Sequence, residues 1–149
     1  TRQLVDAFRD GAGAQEGVEL VVRRADEAQP SDLLAADAVL FATPENLASM
    51  AGMMKDFFDR SYYAALGRVE GRPYATLVCA GSDGQGAARQ IARIATGWRM
   101  KPVAEPLVVI THAQTPEAIL APKSIDAVSL DRARELGAAM AAGVAMGIW

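Results

Sequence analysis

The sequence predicts a single α/β domain, residues 1–149, built on a parallel sheet with helices on both faces. Three observations predict it. Short continuous apolar runs, the pattern of strands buried on both faces, alternate with longer segments whose apolar residues recur every three or four positions. No internal repeat or low-complexity tract interrupts that alternation. The 149 residues are 51% hydrophobic and 22% charged, which suits one core of ordinary size, roughly 100–150 residues, and excludes wholesale disorder.

Each element has its own justification. Leu4, Val5 and Phe8 share a face, so residues 2–10 read as a helix ended by Gly11 and Gly13. Val18–Val22 (VELVV) reads as a strand. Residues 26–36 connect it onward, with Ser31 able to cap a short helix. Asp37–Ala42 (DAVLFA) is a second strand, ending at Thr43-Pro44. Residues 49–62 form the clearest helix: Met50, Met54, Phe57 and Phe58 share one face, and Lys55 with Asp59 and Asp56 with Arg60 can pair on the other. Tyr74–Ala80 (YATLVCA) is a third strand, followed by a glycine-rich loop, Gly81 to Gly86. Ala87, Ile91, Ala95 and Trp98 form the next helical stripe. Pro106–Ile110 is a fourth strand, residues 112–125 a long loop, and Leu130, Ala133, Gly137, Met140 and Val144 the stripe of a last helix. An α/β unit usually opens with a strand, and this pattern opens with a helix. A further strand ahead of Thr1 is therefore expected, filling the sheet between Val18–Val22 and Asp37–Ala42.

Charge and composition narrow the function. Fifteen Lys and Arg stand against 18 Asp and Glu, a net charge of -3, whereas a duplex binder carries a basic surplus; nucleic acid is not an expected partner. The balance is also short of the heavy acidity of a dedicated electrostatic shuttle. The single cysteine, Cys79, allows no intrachain disulfide and no cysteine-rich metal site, so a reducing cytoplasm is the expected compartment. The start, TRQLVDAFRDG, is charged from its second residue and does not read as a secretory signal. The charge-free run Gly137–Trp149 falls short of the roughly 20 apolar residues that cross a bilayer, so no membrane partner is expected.

In an open parallel sheet, ligands bind beyond the carboxyl ends of the strands. Two segments fall there. Thr43-Pro44-Glu45-Asn46-Leu47 offers hydrogen bonds, a stiff turn and an apolar contact, with the small Ala48, Ala51 and Gly52 behind it. The plainer reading is a strand-to-helix turn capped by Ser49 or Asn46. Gly81-Ser82-Asp83-Gly84-Gln85-Gly86, with its three glycines, can turn free backbone N–H groups toward a ligand, and a loop opening a helix suits an anion. Its plainer reading is a tight turn capped by Ser82 or Asp83. His112 is the one histidine and has no evident carboxylate or nucleophile partner. Cys79 reads as a small buried hydrophobe. No metal-ligand cluster, nucleophile elbow or phosphate loop ending in Lys-Ser or Lys-Thr is present.

The segment Thr43–Arg60, TPENLASMAGMMKDFFDR, resembles the flavodoxin-like NAD(P)H-dependent oxidoreductases, which include the FMN reductases and flavodoxin-type quinone reductases. Thr43-Pro44, a short loop, Met50, Ala51-Gly52 and Phe57-Phe58-Asp59 carry the likeness, together with Gly71-Arg72-Pro73-Tyr74 and the loop Gly81–Gly86. It spans residues 37–111. The resemblance implies a flavodoxin-like three-layer sandwich whose first strand precedes Thr1, with FMN at the carboxyl edge of the sheet. Thr43, Pro44, Glu45, Asn46 and Leu47 would lie along the ring and ribityl chain. Gly81, Ser82, Asp83 and Gly84 would close over the other side, and Thr1 would be the last hydroxyl of the phosphate loop. The implied activity passes electrons from NAD(P)H through the flavin to a small-molecule acceptor such as a quinone or free flavin; no protein acid or base is assigned, and a homo-oligomer is left open. The sequence departs from the best-known quinone reductases: Leu47-Ala48 stands where they carry an aromatic residue, and Gly81–Gly86 has no histidine. Two alternatives share the fold, a flavodoxin-type electron carrier and a flavin-free domain acting in assembly or regulation.

Overall fold

A computed structural model describes all of residues 1–149. The chain order is α1 (Arg2–Ala12), α2 (Pro30–Ala35), β1 (Val39–Asn46), β2 (Ser49–Met50), α3 (Gly52–Ala65), β3 (Pro73–Ala80), α4 (Gln85–Gly97), β4 (Lys101–Pro102), β5 (Leu107–Ile110), α5 (Pro116–Leu120) and α6 (Ala127–Ala145). β3 is central. It pairs in parallel with β1 on one edge, and on the other with β4 at its start and β5 at its end. The register sets Val39 beside Tyr74 and Leu77 beside Leu107. Only the short β1–β2 pairing is antiparallel.

β3 shows why the sheet has two covered faces. Its residues alternate sides, as strand geometry requires. Tyr74, Val78 and Ala80 enter a core with Phe41, Met54, Phe58, Ile91 and Trp98, beneath α3 and α4. Ala75 and Leu77 enter the opposite core, with Leu4, Ala7, Phe8, Ala133 and Met140 of α1 and α6. The first core is aromatic at its centre: the Phe41 and Phe58 rings lie 4.9 Å apart and Phe58 lies 5.4 Å from Trp98, in tilted arrangements. On the outer face of α3 the expected ion pairs form, Lys55 with Asp59 at 2.6 Å and Arg60 with Asp56 at 2.7 Å. No helix is long and apolar enough to cross a membrane.

The structure differs from the sequence reading in several elements. Val18–Val22 is not a strand: it has no ladder partner, and Val21 and Val22 are 52% and 46% exposed. A strand exists only where a neighbour takes up its N–H and C=O groups. The strand expected between this run and β1 is not supplied by residues 1–149, so β1 keeps an open edge at Val39–Thr43. The second strand starts later than Asp37 and runs on through Thr43-Pro44 to Asn46, because Thr43 and Pro44 still pair with Val78 and Cys79. Ser49 and Met50 belong to a hairpin, and their helix begins at Gly52. Gln29, not Ser31, caps α2: the Gln29 N–H donates to the Asp32 carboxylate at 2.8 Å, and Pro30 fills the first helical position. The long loop holds a short helix, α5, capped by the Thr115 hydroxyl.

Candidate functional site

β1, β3 and β5 are parallel, so their carboxyl ends share one edge. Both predicted segments lie there, and the structure joins them more closely than the sequence suggests. β1 and β2 form a hairpin with Glu45 opposite Met50 and Asn46 opposite Ser49. The two turn residues, Leu47 and Ala48, both have positive φ, 51° and 58°. A two-residue turn of this hand favours Asn-Gly, and an L side chain there costs roughly 1–2 kcal/mol per residue. Leu47 projects from the tip with its whole side chain in solvent, 101% exposed.

Anchors on α4 hold the strained tip. The Glu45 carboxylate accepts from the Gly84 N–H at 2.8 Å and the Ala87 N–H at 2.9 Å. The Gln90 amide oxygen accepts from the Ser49 hydroxyl at 2.8 Å and the Met50 N–H at 3.1 Å. Gly86 lies so close that a Cβ there would sit 2.1 Å from the Ala48 carbonyl oxygen. Thr43 is buried, 1% exposed, and its hydroxyl is committed inward: it donates to the Pro44 carbonyl at 3.0 Å and accepts from the Ala51 N–H at 3.1 Å.

The glycine-rich loop explains its glycines. Gly84 is the N-cap of α4 at φ 77°, and a Cβ would meet a methyl of Val108 at 2.4 Å. Gly81 has no positive φ; its requirement is space, since a Cβ would lie 2.8 Å from the Ala113 carbonyl oxygen. Ser82 and Asp83 are exposed and cap nothing, because Glu45 has taken the cap. Neither Ser49 nor Asn46 caps α3, which follows Ala51 without a side-chain bond.

The segment after β5 borders both the loop and the start of α1. Ala113 faces Gly81, and ten residues on the Gln3 side chain donates to the Lys123 carbonyl at 2.7 Å and accepts from the Ile125 N–H at 3.0 Å. Thr1 precedes α1, its carbonyl accepting from Leu4 and Val5, both at 3.0 Å, while its hydroxyl makes no capping bond. The two helix starts therefore differ. That of α4 carries an internal carboxylate, and an anion reaching it must displace Glu45. That of α1 has no acidic residue in its first turn and leaves its positive end free of a side-chain cap.

Of the expected site residues, the structure brings Asn46, Leu47, Gly81, Ser82 and Asp83 to accessible positions on the edge, and places Thr43, Glu45 and Gly84 in the framework beneath them. Pro44 continues the ladder beside Cys79, at half-buried positions. His112 is exposed, at φ 56°, just past the carboxyl end of β5. Gln90 was not legible as a site residue, and Gly86 was legible only as part of the glycine-rich loop, not as a contact of the hairpin. Their signal was their spacing: four apart on one helix, they present one face to the hairpin. Two cavities lie elsewhere, one of about 230 Å³ between Asp37, Pro73 and Trp149 and one of about 300 Å³ between Glu105, Arg132 and Leu136. The carboxyl edge of the sheet is flanked by a hairpin and a loop.

Comparison with known proteins bears on the fold and the family. The family model described as NADPH-dependent FMN reductase matches residues 4–115. A flavodoxin of Aquifex aeolicus is 30% identical over 94 residues, covering 62% of this chain and 49% of that protein. An NAD(P)H dehydrogenase (quinone) of Acidithiobacillus ferrooxidans is 29% identical over 79 residues, covering 40% of each. The chain thus spans half or less of the length of these curated relatives. Among solved structures, a flavodoxin from the domain Archaea superposes with a TM-score of 0.74 at 21% identity, over 97% of this chain and 90% of that one; the shared fold is flavodoxin-like.

Proposed function

The chain belongs to the NADPH-dependent FMN reductase family, and from that premise we propose that it binds FMN at the carboxyl edge of the sheet and acts as an NAD(P)H-dependent oxidoreductase. One observation carries the proposal: a fully exposed apolar side chain, Leu47, and a glycine-rich loop stand on the same edge, the hairpin that bears Leu47 being bonded to α4 through Gln90 and to the loop through Glu45. The residues present fit the group. Leu47 offers an apolar contact to a flat ring, and Asn46 and Ser82 offer hydrogen bonds to its polar rim. Gly81, half-buried against the Ala113 carbonyl, adds no side chain between the loop and the ring. The start of α1, with the free Thr1 hydroxyl and no acidic residue in its first turn, suits the phosphate end.

When bound, FMN supplies hydride and electron chemistry between a reduced nicotinamide and an acceptor. The protein's own part is binding and orientation. Pro44 and the Thr43 bond to Ala51 fix where the hairpin leaves the sheet, and Gln90 and Glu45 stop it from swinging. The acceptor proposed is a small molecule, a quinone or free flavin. Titration of FMN fluorescence with the protein, followed by anaerobic addition of NADPH, tests this: quenching with saturable affinity and bleaching of the bound flavin are expected. A second reading, an electron carrier, is favoured by the likeness to a flavodoxin. It predicts bound flavin that NADPH leaves oxidised until a separate reductase is added. A protein that never takes up FMN leaves the flavin-free alternative.

A further inference from the structure

We infer that Glu45 is a positioning residue for the flavin site: its carboxylate locks the hairpin tip and the glycine-rich loop into one rigid frame. The inference rests on the flavin reading above. On sequence position alone, Glu45 would be a flavin contact. The structure commits both its oxygens elsewhere, one to the Gly84 N–H and one to the Ala87 N–H. These are charge-assisted bonds at the positive end of α4, a helix that has no side-chain cap of its own residues.

The placement matters because, among the side-chain hydrogen bonds, only that of Glu45 to Gly84 joins the hairpin to the Gly81–Gly84 turn. Gln90 and Gly86 secure the hairpin against α4 and make no hydrogen bond to that turn. Glu45 stands two residues before Leu47 on the hairpin and grips Gly84, the last residue of Gly81–Gly84, in its left-handed conformation. Asn46, next along the strand, points to the opposite side and is exposed. Without the carboxylate, the hairpin keeps its Gln90 and Gly86 anchors, while the Gly84 and Ala87 N–H groups lose their acceptor and the loop loses its tether. Ligand affinity should therefore suffer more than global stability.

The test uses Glu45→Gln, Glu45→Ala and Gly86→Ala in the full chain. Glutamine can accept only one of the two N–H bonds, since its NH2 faces the other donor. Gly86→Ala keeps the Glu45 carboxylate but strains the same joint, because its methyl would meet the Ala48 carbonyl and come within 3.1 Å of Glu45 Oε2. We expect each variant to weaken FMN at least about tenfold by fluorescence quenching and to alter the visible circular dichroism of the bound flavin. The apo proteins should stay folded but melt below wild type, since the N–H groups of buried Gly84 and Ala87 lose an acceptor or the Ala48 carbonyl is crowded, and the Gly84 and Ala87 amides should exchange faster in the Glu45 variants. Combining Glu45→Gln with Gly86→Ala should add little, because both act on one joint. If Glu45→Ala does not fold, Glu45→Gln and Gly86→Ala decide. Wild-type affinity and wild-type flavin dichroism in the variants overturn the inference and leave the flavin reading standing. A wild-type protein that does not quench FMN overturns the flavin reading, and this role with it.

Discussion

Gly137 of α6 rests against the Phe8 carbonyl of α1: a Cβ at Gly137 would lie 2.1 Å from that oxygen, and one at Gly11 would lie 2.0 Å from the Arg134 carbonyl oxygen. The two helices meet backbone to backbone at this crossing. Gly137→Ala should therefore destabilise the protein by about 1–3 kcal/mol, the usual cost of overpacking, even though Ala is the better helix former. Gly97→Ala, in α4 with nothing within 4 Å, is the control and should be neutral or slightly stabilising. Urea unfolding midpoints of the two variants check this, and equal midpoints would remove the close crossing.

Gly81→Val should weaken FMN while leaving most of the fold intact. The clash is with the Ala113 carbonyl of the loop after β5, outside the two buried cores. Gly84→Ala should cost stability as well, about 1–2 kcal/mol for the left-handed backbone alone, with the Val108 methyl added. Parallel FMN titrations and thermal melts separate the two. A melting loss in Gly81→Val as large as that in Gly84→Ala contradicts the assignment.

Thr43→Ala should act through the fold. It strips the acceptor from the Ala51 N–H at a buried position, a loss of about 1–3 kcal/mol. Thr43→Ser keeps the hydroxyl and should recover most of it. Denaturant unfolding of both variants is the measurement, and equal losses in the two would assign the effect to the methyl group instead.

Asp126 caps α6. Bonds from the Ser129 hydroxyl and N–H, at 2.7 and 2.9 Å, hold its carboxyl below the usual carboxylate range. A depressed folded pKa means stability present above the unfolded value, about 3.9, and lost as pH falls toward the folded one. Asp126→Ala should thus be less stable than wild type at pH 7, with the gap closing as the solution is acidified below about pH 4. A gap that is constant across that range would show that the charge plays no part.

The helices with clear stripes, α3, α4 and α6, and the runs beneath β1, β3 and β5 were legible because periodicity and burial agree in them. Val18–Val22 was misread because a strand depends on its neighbour as well as its own residues. The site was legible as two segments but not as a unit. Nothing local marks Glu45 as the cap of a helix 39 residues on, or Thr43 as an internal bond rather than a contact. The strained Leu47-Ala48 turn was invisible for the opposite reason: local preference argues against it, and anchors distant in sequence overrule that preference.

The open flank of β1 sets how protection is distributed across the sheet. β3 is held on both sides from Leu77 to Cys79, so its amide hydrogens there should exchange with deuterium only when the whole domain opens. The amides of Val39 to Thr43 that point away from β3 meet no partner strand within residues 1–149, and in a polypeptide of these residues they should exchange through small local fluctuations. Neighbouring residues along a single strand would then differ by orders of magnitude in exchange rate, alternating one by one. Anything that pairs with that flank would register first as the slowing of alternate amides, before any change in melting temperature.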